Sequence, residues 1–519
     1  MNERVRAGYV LLLVALLLVL INFFWLRADT RPWIWDMGFH TRLGLDYLEW
    51  AQHPSLDKLR WVYQESLWYP PFYHWAEAIS FTIAGRMEDA AAFPNFFFLG
   101  LMLWAVFRIG ERVDGVEAGL WGALFTSLFP ILVWLSRTPL VDFALVAVVC
   151  QAIHFLLETE NFGLRKRSIL FGLVCGIGML VKWSFLFFLA GPILYVYFQR
   201  PTWRHRVCQT NIVLALVTGA VVASIWYLAK VHLLLFEYFP EHAAQGIAEG
   251  DPPVWSPVSW IFYLQLLFSY QLFFPLALLL ALGIYWSFYR GEHAHSLAVI
   301  WVWLGSSWLI LTLLRNKDPR YTAPLLPAVA ILAAAGLVRS DPVRNAVRRA
   351  ALAVALAQFM IITFNVPFVP DKVSLGTFHR GTYNWEWQIY SKTYQGFLGP
   401  SRDEEWPMDS VLSVIAEKGG GRLFVLPDHP YFSAEVFLYR ARLLQSPVEV
   451  STLRSGNFHG GERDFLIVKT GDQGDPRTTQ GVLAMTSQVE KDSNMHLLRA
   501  YTLPDGSQGL LYASKKLEF

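Results

Sequence analysis

Charge is what this chain has least of. Only 16% of its 519 residues are Asp, Glu, Lys or Arg, while 54% are hydrophobic. Soluble domains carry about 25% charged residues. So few surface-forming residues exclude a simple soluble enzyme, and so much apolar content excludes a disordered protein. The net charge of +2 leaves no electrostatic footprint for nucleic acid. Cysteine is scarce as well. Cys150, Cys175 and Cys208 are odd in number, show no CxxC spacing and lie in or beside apolar segments. Neither a disulfide framework nor a zinc site is expected from them, only inert thiols. Internal repeats and low-complexity tracts are also missing.

Long apolar runs are what the chain has in excess. They extend over Gly8–Leu26, Ala91–Phe107, Ala118–Leu135, Pro139–Leu157, Ser168–Val181, Trp183–Phe198, Asn211–Ala229, Leu266–Phe288, Leu297–Leu314, Thr322–Val338 and Ala350–Phe364. At ~20 residues per crossing they predict about eleven transmembrane helices. The first run is long for a signal-peptide core and lacks a small-x-small cleavage site, so it reads as an uncleaved helix. With the N-terminus in the cytoplasm, the inward loops collect Arg108 and Arg112; Arg165, Lys166 and Arg167; Arg200, Arg204 and Arg206; Arg290; and Arg339, Arg344, Arg348 and Arg349. That is the positive-inside pattern at every inward connection.

The fold class read here is an all-α polytopic membrane domain over residues 1–370, with a large extracytoplasmic loop at 27–90. A small extracytoplasmic α/β domain over 371–519 follows. Its expected strands are Arg422–Leu426, Pro447–Ser451, Asp464–Lys469, His496–Tyr501 and Gly509–Ala513, and its expected helices Asp409–Lys418 and Phe432–Arg440. Gly419-Gly420-Gly421 precedes a strand rather than following one, so it is no dinucleotide fingerprint. No catalytic constellation is visible in the tail; it either selects an acceptor or, as preferred, braces or covers the outward loops.

Five outward segments carry the residues able to do chemistry. Asp36 follows the first helix, flanked by Trp33, Trp35 and Phe39. Partial desolvation there favours proton uptake and makes a better base, although a solvated loop carboxylate among interfacial tryptophans reads equally well. Pro70-Pro71 suit a helix start, and Phe72–Ile83 is too short to span, so it is placed flat at the interface; His74 there reads as a packing residue. Arg137 and Asp142 bracket the outward end of two helices. They form either a local ion pair or a site where Asp142 holds an acceptor or metal and Arg137 an anion. Lys182 joins two short apolar halves, either snorkelling or, as preferred, sitting in a wet pocket with an anionic partner. Arg315, Lys317 and Arg320 stand on the wrong face for topology, just before a helix. A phosphate site is preferred there over a lipid-headgroup anchor. One carboxylate base, one supporting carboxylate and several cations on one face describe group transfer from a phosphate-bearing donor.

These segments, in this order, resemble the GT-C superfamily of membrane glycosyltransferases, in the branch of the protein O-mannosyltransferases and the aminoarabinose transferases of lipid A. The resemblance rests on Asp36 with His40 downstream, Pro70-Pro71-Phe72-Tyr73, Arg137…Asp142, Leu180–Trp183 and Asp318–Pro327, across roughly the first 340 residues. It implies a polyprenyl-phosphate-linked sugar as donor, a lipid, glycan or protein acceptor, and action outside the cytoplasmic (inner) membrane. Asp36 would be the base of a single inverting displacement. Arg320 and Lys182, helped by Arg137 or Lys317 and accompanied by Tyr321, would meet the lipid phosphate. Asp142 would orient the acceptor or, with Asp36, bind a divalent ion; no other cofactor is implied. His40, Tyr69, Pro70, Pro71 and Tyr73 would line the donor or acceptor pocket. Relatives often have an acidic residue where this chain has Met37, and Lys or His where it has Tyr69, which shifts the weight to Lys182 and Arg320. Membrane lipids are expected partners, nucleic acid is not, and the chain is expected to act as a monomer. The alternative reading is a transporter or flippase for a lipid-linked or anionic solute, which would call for inward-facing ionisable sites and internal pseudo-symmetry. Neither is visible in the sequence.

Overall fold

The computed structural model describes residues 2–199, 205–289, 294–380, 383–393, 399–453, 464–474, 479, 481–482, 485–487 and 495–514. Of the inward basic residues, Arg200, Arg204 and Arg290 lie outside these. The first helix, α1 (Glu3–Ala28), is capped by Asn2, whose side chain accepts the Arg4 amide. Its Leu12, Leu13, Leu16, Leu17 and Leu20 are exposed, a face that only lipid covers without cost. The connection that follows holds α2 (Trp35–Gln52), α3 (Leu56–Glu65) and α4 (Phe72–Ala84). Pro70 and Pro71 lead into α4, where a missing amide hydrogen is harmless. α4 buries His74, Glu77, Ala78 and Phe81 and leaves Ile79 and Ile83 exposed.

α5 (Pro94–Asp114) and α6 (Val116–Leu128) reverse at Gly115, whose φ of +97° suits glycine. A Cβ on Gly119 would collide with the Phe107 carbonyl, so small residues let these helices touch. The Ala118–Leu135 run is not one helix: Pro130 ends the hydrogen-bond ladder of α6 and starts α7 (Pro130–Leu135). α8 (Val141–Glu158) is buried nearly all round, as its ring of Ala and Val allows. α9 (Arg165–Val181) stops at Lys182, whose backbone is extended (φ −154°, ψ 136°), and α10 (Leu186–Phe198) descends from that corner.

Next come α11 (Arg206–Leu233), α12 (Phe239–Ala248), α13 (Pro257–Leu266), α14 (Phe274–Ser287), α15 (Ala294–Thr312), α16 (Leu326–Leu337) and α17 (Pro342–Thr363). The Leu266–Phe288 run is likewise interrupted, by a wide turn at Leu267–Gln271 and by Phe273 at φ +60°. Among the described residues, six helices are long and apolar enough to cross a membrane, and Trp183–Phe198, Phe274–Ser287 and Ala323–Leu337 are shorter apolar helices. The chain is a multi-pass membrane protein.

The C-terminal region opens with a hairpin, β1 (Lys372–Arg380) and β2 (Tyr383–Ser391), that the sequence reading does not anticipate. Then come α18 (Met408–Glu417), β3 (Gly421–Val425), β4 (Asp428–His429), β5 (Phe432–Ser433), α19 (Ala434–Leu443), β6 (Val448–Thr452), β7 (Asp464–Lys469), β8 (Met495–Thr502) and β9 (Gln508–Ser514). Five strands form one sheet in the order β6-β3-β7-β9-β8. β3 runs parallel to β6 and β7, with Leu423 opposite Val450 and Phe465. β9 is antiparallel to β7 and β8. β7 is buried at every position, as a central strand covered on both faces must be.

Candidate active site

Four connections at one end of the helix bundle enclose a cavity of about 990 Å³. They are the start of α2, the α7–α8 corner, the α9–α10 corner and the turn before α16. α12 forms a side wall, and Asp428 and Glu435 of the C-terminal region complete the lining. Of the residues singled out from sequence, Asp36, His40, Tyr69, Asp142, Lys182, Arg320 and Tyr321 all face this space. Among the described lining residues the cations are Lys182 and Arg320, against the seven carboxylates of Asp36, Asp142, Asp251, Asp318, Asp428, Glu249 and Glu435.

Asp36 lies in the first turn of α2, directly after Trp35, which adopts a φ of +34°. A non-glycine residue there is strained by about 1–3 kcal/mol. The Trp35 indole donates to the Asp428 carbonyl (3.3 Å), so the C-terminal region holds the residue next to the carboxylate. Of the two readings the sequence leaves open for Asp36, the structure favours the more solvated one. Its side chain is 50% exposed, and its Oδ2 accepts from both Nη1 and Nη2 of Arg320 at 3.1 Å.

Arg320 also donates through Nε and Nη2 to Asp318 (3.0 and 2.8 Å), which accepts the Arg320 amide as well (2.7 Å). Burial alone would lower the guanidinium pKa, but Asp318, and then Asp36, outweigh it and raise it. For Asp318 burial acts upward, and Arg320 overcomes it and holds the carboxyl below its usual range. The turn itself is pinned from both sides. Gln271 donates to the Pro319 carbonyl and the Thr322 hydroxyl at 2.7 Å each, and Asp251 accepts the Lys317 amide at 2.7 Å.

Lys182 caps the corner after α9 and gives its Nζ to Asp142 Oδ1 at 2.7 Å. Its ammonium lies 5.5 Å from the ring centre of Tyr321. The Tyr321 hydroxyl donates to Asn316 (3.2 Å) and therefore accepts from His242 Nε2 (2.9 Å). His40 stands one turn after Asp36 on the same helix face. Its Nδ1 lies 2.9 Å from His74 Nε2, and its ring meets Tyr69 edge-on at 4.6 Å. Burial, then the neighbouring His74, keeps the His40 pKa well down, and burial pushes His74 down to about 3. The pair is neutral at pH 7 and shares one hydrogen bond.

The other named residues do not reach the cavity. Arg137 is fully buried, with Nε on Asn22 (2.8 Å), Nη2 on Thr363 (2.9 Å), and the rings of Trp25 and Phe359 beside it. It ties α1 to α17 and does not pair with Asp142. Lys317 turns its Nζ back onto the carbonyls of Thr312 (2.9 Å) and Leu314 (2.8 Å), capping α15. Tyr73 is buried against Asn95 (3.4 Å), and Pro70 and Pro71 shape the entry to α4. Asp36 and Asp142 each face a cation, and no group of three His, Cys, Asp or Glu able to hold a metal ion occurs among the described residues. Sequence reasoning missed Tyr238 and His242 and gave no role to Trp68 and Trp183, all of which line the cavity. Aromatics beside apolar runs read as ordinary interfacial residues, and only the packing of Trp68 on Tyr238 (4.7 Å) and of Trp183 on His242 (6.1 Å) reveals an aromatic wall.

The C-terminal region is latched over α2. The Tyr439 hydroxyl accepts the Trp33 amide (2.8 Å) and donates to Glu88, which also meets Arg440. Arg442 reaches Asp46 of α2 at 3.2 Å.

The fold is similar to that of solved GT-C membrane glycosyltransferases. Residues 69–227 match the family described as dolichyl-phosphate-mannose-protein mannosyltransferase. Among solved structures, the chain is similar to ArnT from Cupriavidus metallidurans bound to undecaprenyl phosphate, with TM-score 0.50 and 18% identity over 70% of this chain and 66% of that one. It is similar to the Archaeoglobus fulgidus oligosaccharyltransferase in complex with zinc and sulfate, with TM-score 0.51 and 12% identity over 96% and 73%. It is also similar to the arabinofuranosyltransferase AftD from mycobacteria, with TM-score 0.53 and 13% identity over 99% and 42%. The chain thus spans just under two thirds of the length of that ArnT. No curated protein matches it.

Proposed function

We propose that the protein transfers a sugar from a polyprenyl-phosphate-linked donor to an acceptor hydroxyl, with inversion, on the extracytoplasmic side of the cytoplasmic (inner) membrane. Its N-terminus lies in the cytoplasm and its C-terminal region outside. The observation that carries this reading is the meeting of Asp36 and Arg320, 284 residues apart, at 3.1 Å in a cavity that also holds the Lys182–Asp142 pair. A carboxylate that can take a proton thus stands against one cation that can take a phosphate, with a second cation lining the same cavity. The acceptor oxygen attacks the sugar C1 while its proton passes to Asp36. The C1–oxygen bond to phosphate breaks, and the lipid phosphate leaves with the electron pair. Arg320 and Lys182 face the charge that develops there, and one such contact is worth about 2.7–4 kcal/mol of barrier. Asp142 orients Lys182, and the aromatic wall offers faces for the apolar side of a sugar ring. The family matched over residues 69–227 and the lipid phosphate bound by the similar ArnT support the same donor class.

The experiment is sugar transfer by the purified full-length protein in lipid, supplied with a polyprenyl-phosphate sugar. Asp36→Asn is expected to reduce kcat by at least about 100-fold with the protein still folded. Undiminished transfer would remove Asp36 from the reaction, and solute flux across vesicles with no covalent product would replace the transferase by a transporter.

A further inference from the structure

Arg320 has two hydrogen-bonding edges, and two carboxylates divide them unequally. Asp318 takes the Nε–Nη2 edge with both of its oxygens and the backbone amide besides. Asp36 takes the Nη1–Nη2 end with a single oxygen. Their settings differ too: Asp318 is 24% exposed in a turn pinned by Gln271 and Asp251, whereas Asp36 is 50% exposed at the mouth of a helix. Asp318 is thus built in, and Asp36 is a tenant on the other end of the guanidinium, in a cavity that all three residues line.

We infer that Asp318 is a positioning residue that fixes Arg320, and that a donor phosphate displaces Asp36 from the end of the guanidinium, so that the base is released only when the donor is seated. The inference rests on the polyprenyl-phosphate reading above. A phosphate offers two oxygens to an edge on which Asp36 uses one, and the fork of Arg matches that pair. While Asp36 Oδ2 accepts both N–H groups of Arg320, that oxygen is engaged and is not offered to an acceptor hydroxyl. The exchange therefore couples the availability of that oxygen to occupancy, and it makes donor binding precede acceptor activation. The reverse exchange closes the cycle. After transfer Asp36 carries the acceptor proton and no charge, so it does not contest Arg320 with the departing lipid phosphate. Once Asp36 gives that proton to water, its carboxylate reclaims the edge and the phosphate is expelled.

The test is equilibrium binding of undecaprenyl phosphate, carrying no sugar, to the full-length protein in lipid nanodiscs. Asp36→Asn removes the tenant without altering shape and is expected to tighten binding by roughly fivefold or more. Asp318→Asn removes the same charge from the same guanidinium but frees the fork, and is expected to weaken binding. Equal tightening by both variants would reduce the effect to net charge and overturn the assignment. Unchanged or weaker binding by Asp36→Asn, with binding lost in Arg320→Ala, would overturn the exchange while leaving the donor reading in place. Wild-type binding by Arg320→Ala would overturn the donor reading itself.

Discussion

Asp142 and Lys182 are 40 residues apart in the chain and 2.7 Å apart in space, with side-chain exposures of 4% and 12%. Breaking such a pair from one side strands a charge at a cost of about 3–5 kcal/mol, whereas replacing both partners is often neutral. Lys182→Met is therefore expected to lower the thermal midpoint sharply. The double variant with Asp142→Asn is expected to recover most of that stability but not the binding of lipid phosphate. Melting curves and a phosphate-binding assay on the wild type and the two variants check this.

Arg320 works through a fork rather than through charge alone. Arg320→Lys keeps the charge but cannot serve Asp318 and a phosphate on two edges at once. The expected outcome is a fall in kcat/KM of about 100-fold with an unchanged melting profile, measured in the sugar-transfer assay. A drop of less than threefold would show that a point charge suffices there.

Arg137 is a structural cation. Arg137→Gln leaves Asn22 and Thr363 without their charged partner inside the helix bundle. It is expected to destabilise the protein by a few kcal/mol without changing KM for the donor. Measuring both on the same preparation separates this from a phosphate-binding role, in which KM would rise.

Asp46 makes the latch between α2 and the C-terminal region sensitive to pH. Burial raises its pKa from 3.8 to about 6, with Arg442 and Arg42 offsetting part of that. A carboxyl raised on folding contributes stability that is complete below about pH 4 and is lost as pH rises through about 6. The thermal midpoint of the wild type relative to Asp46→Asn is expected to fall between pH 5 and pH 7.5. A difference that stays flat across this range would mean that Asp46 is already ionised throughout.

Much of the C-terminal sheet is legible in the chain, because each of β3, β6, β7, β8 and β9 is a short apolar or β-branched run between turn residues. The expected Asp464–Lys469 strand is observed over those same residues. The β1–β2 hairpin escaped notice because its anchor is remote: Trp387 stacks on Phe274 at 5.6 Å and donates to Gln265 at 2.6 Å. The breaks at Pro130 and Phe273 were likewise hidden. A hydrophobic run reports burial, and a helix can restart within it without any change in polarity. Asp36, Lys182 and Arg320 stood out because a charge on the outward face needs a reason. Arg137 and Lys317 stood out for the same cause, and nothing local distinguishes a cation that faces a cavity from one that is swallowed by carbonyls.

By itself, the amino-acid order determined the membrane character of this protein, the presence of several apolar helices and the polar α/β tail, since run length and periodicity are local properties. It also marked which charges demanded an explanation. Only the tertiary structure decided which of those charges meet. Asp36 found Arg320 and Asp142 found Lys182, while Arg137 turned to Asn22 and Lys317 to the end of the preceding helix. The physical reason is that a charge takes the partner that helix packing brings within about 3 Å, and that packing joins residues hundreds of positions apart.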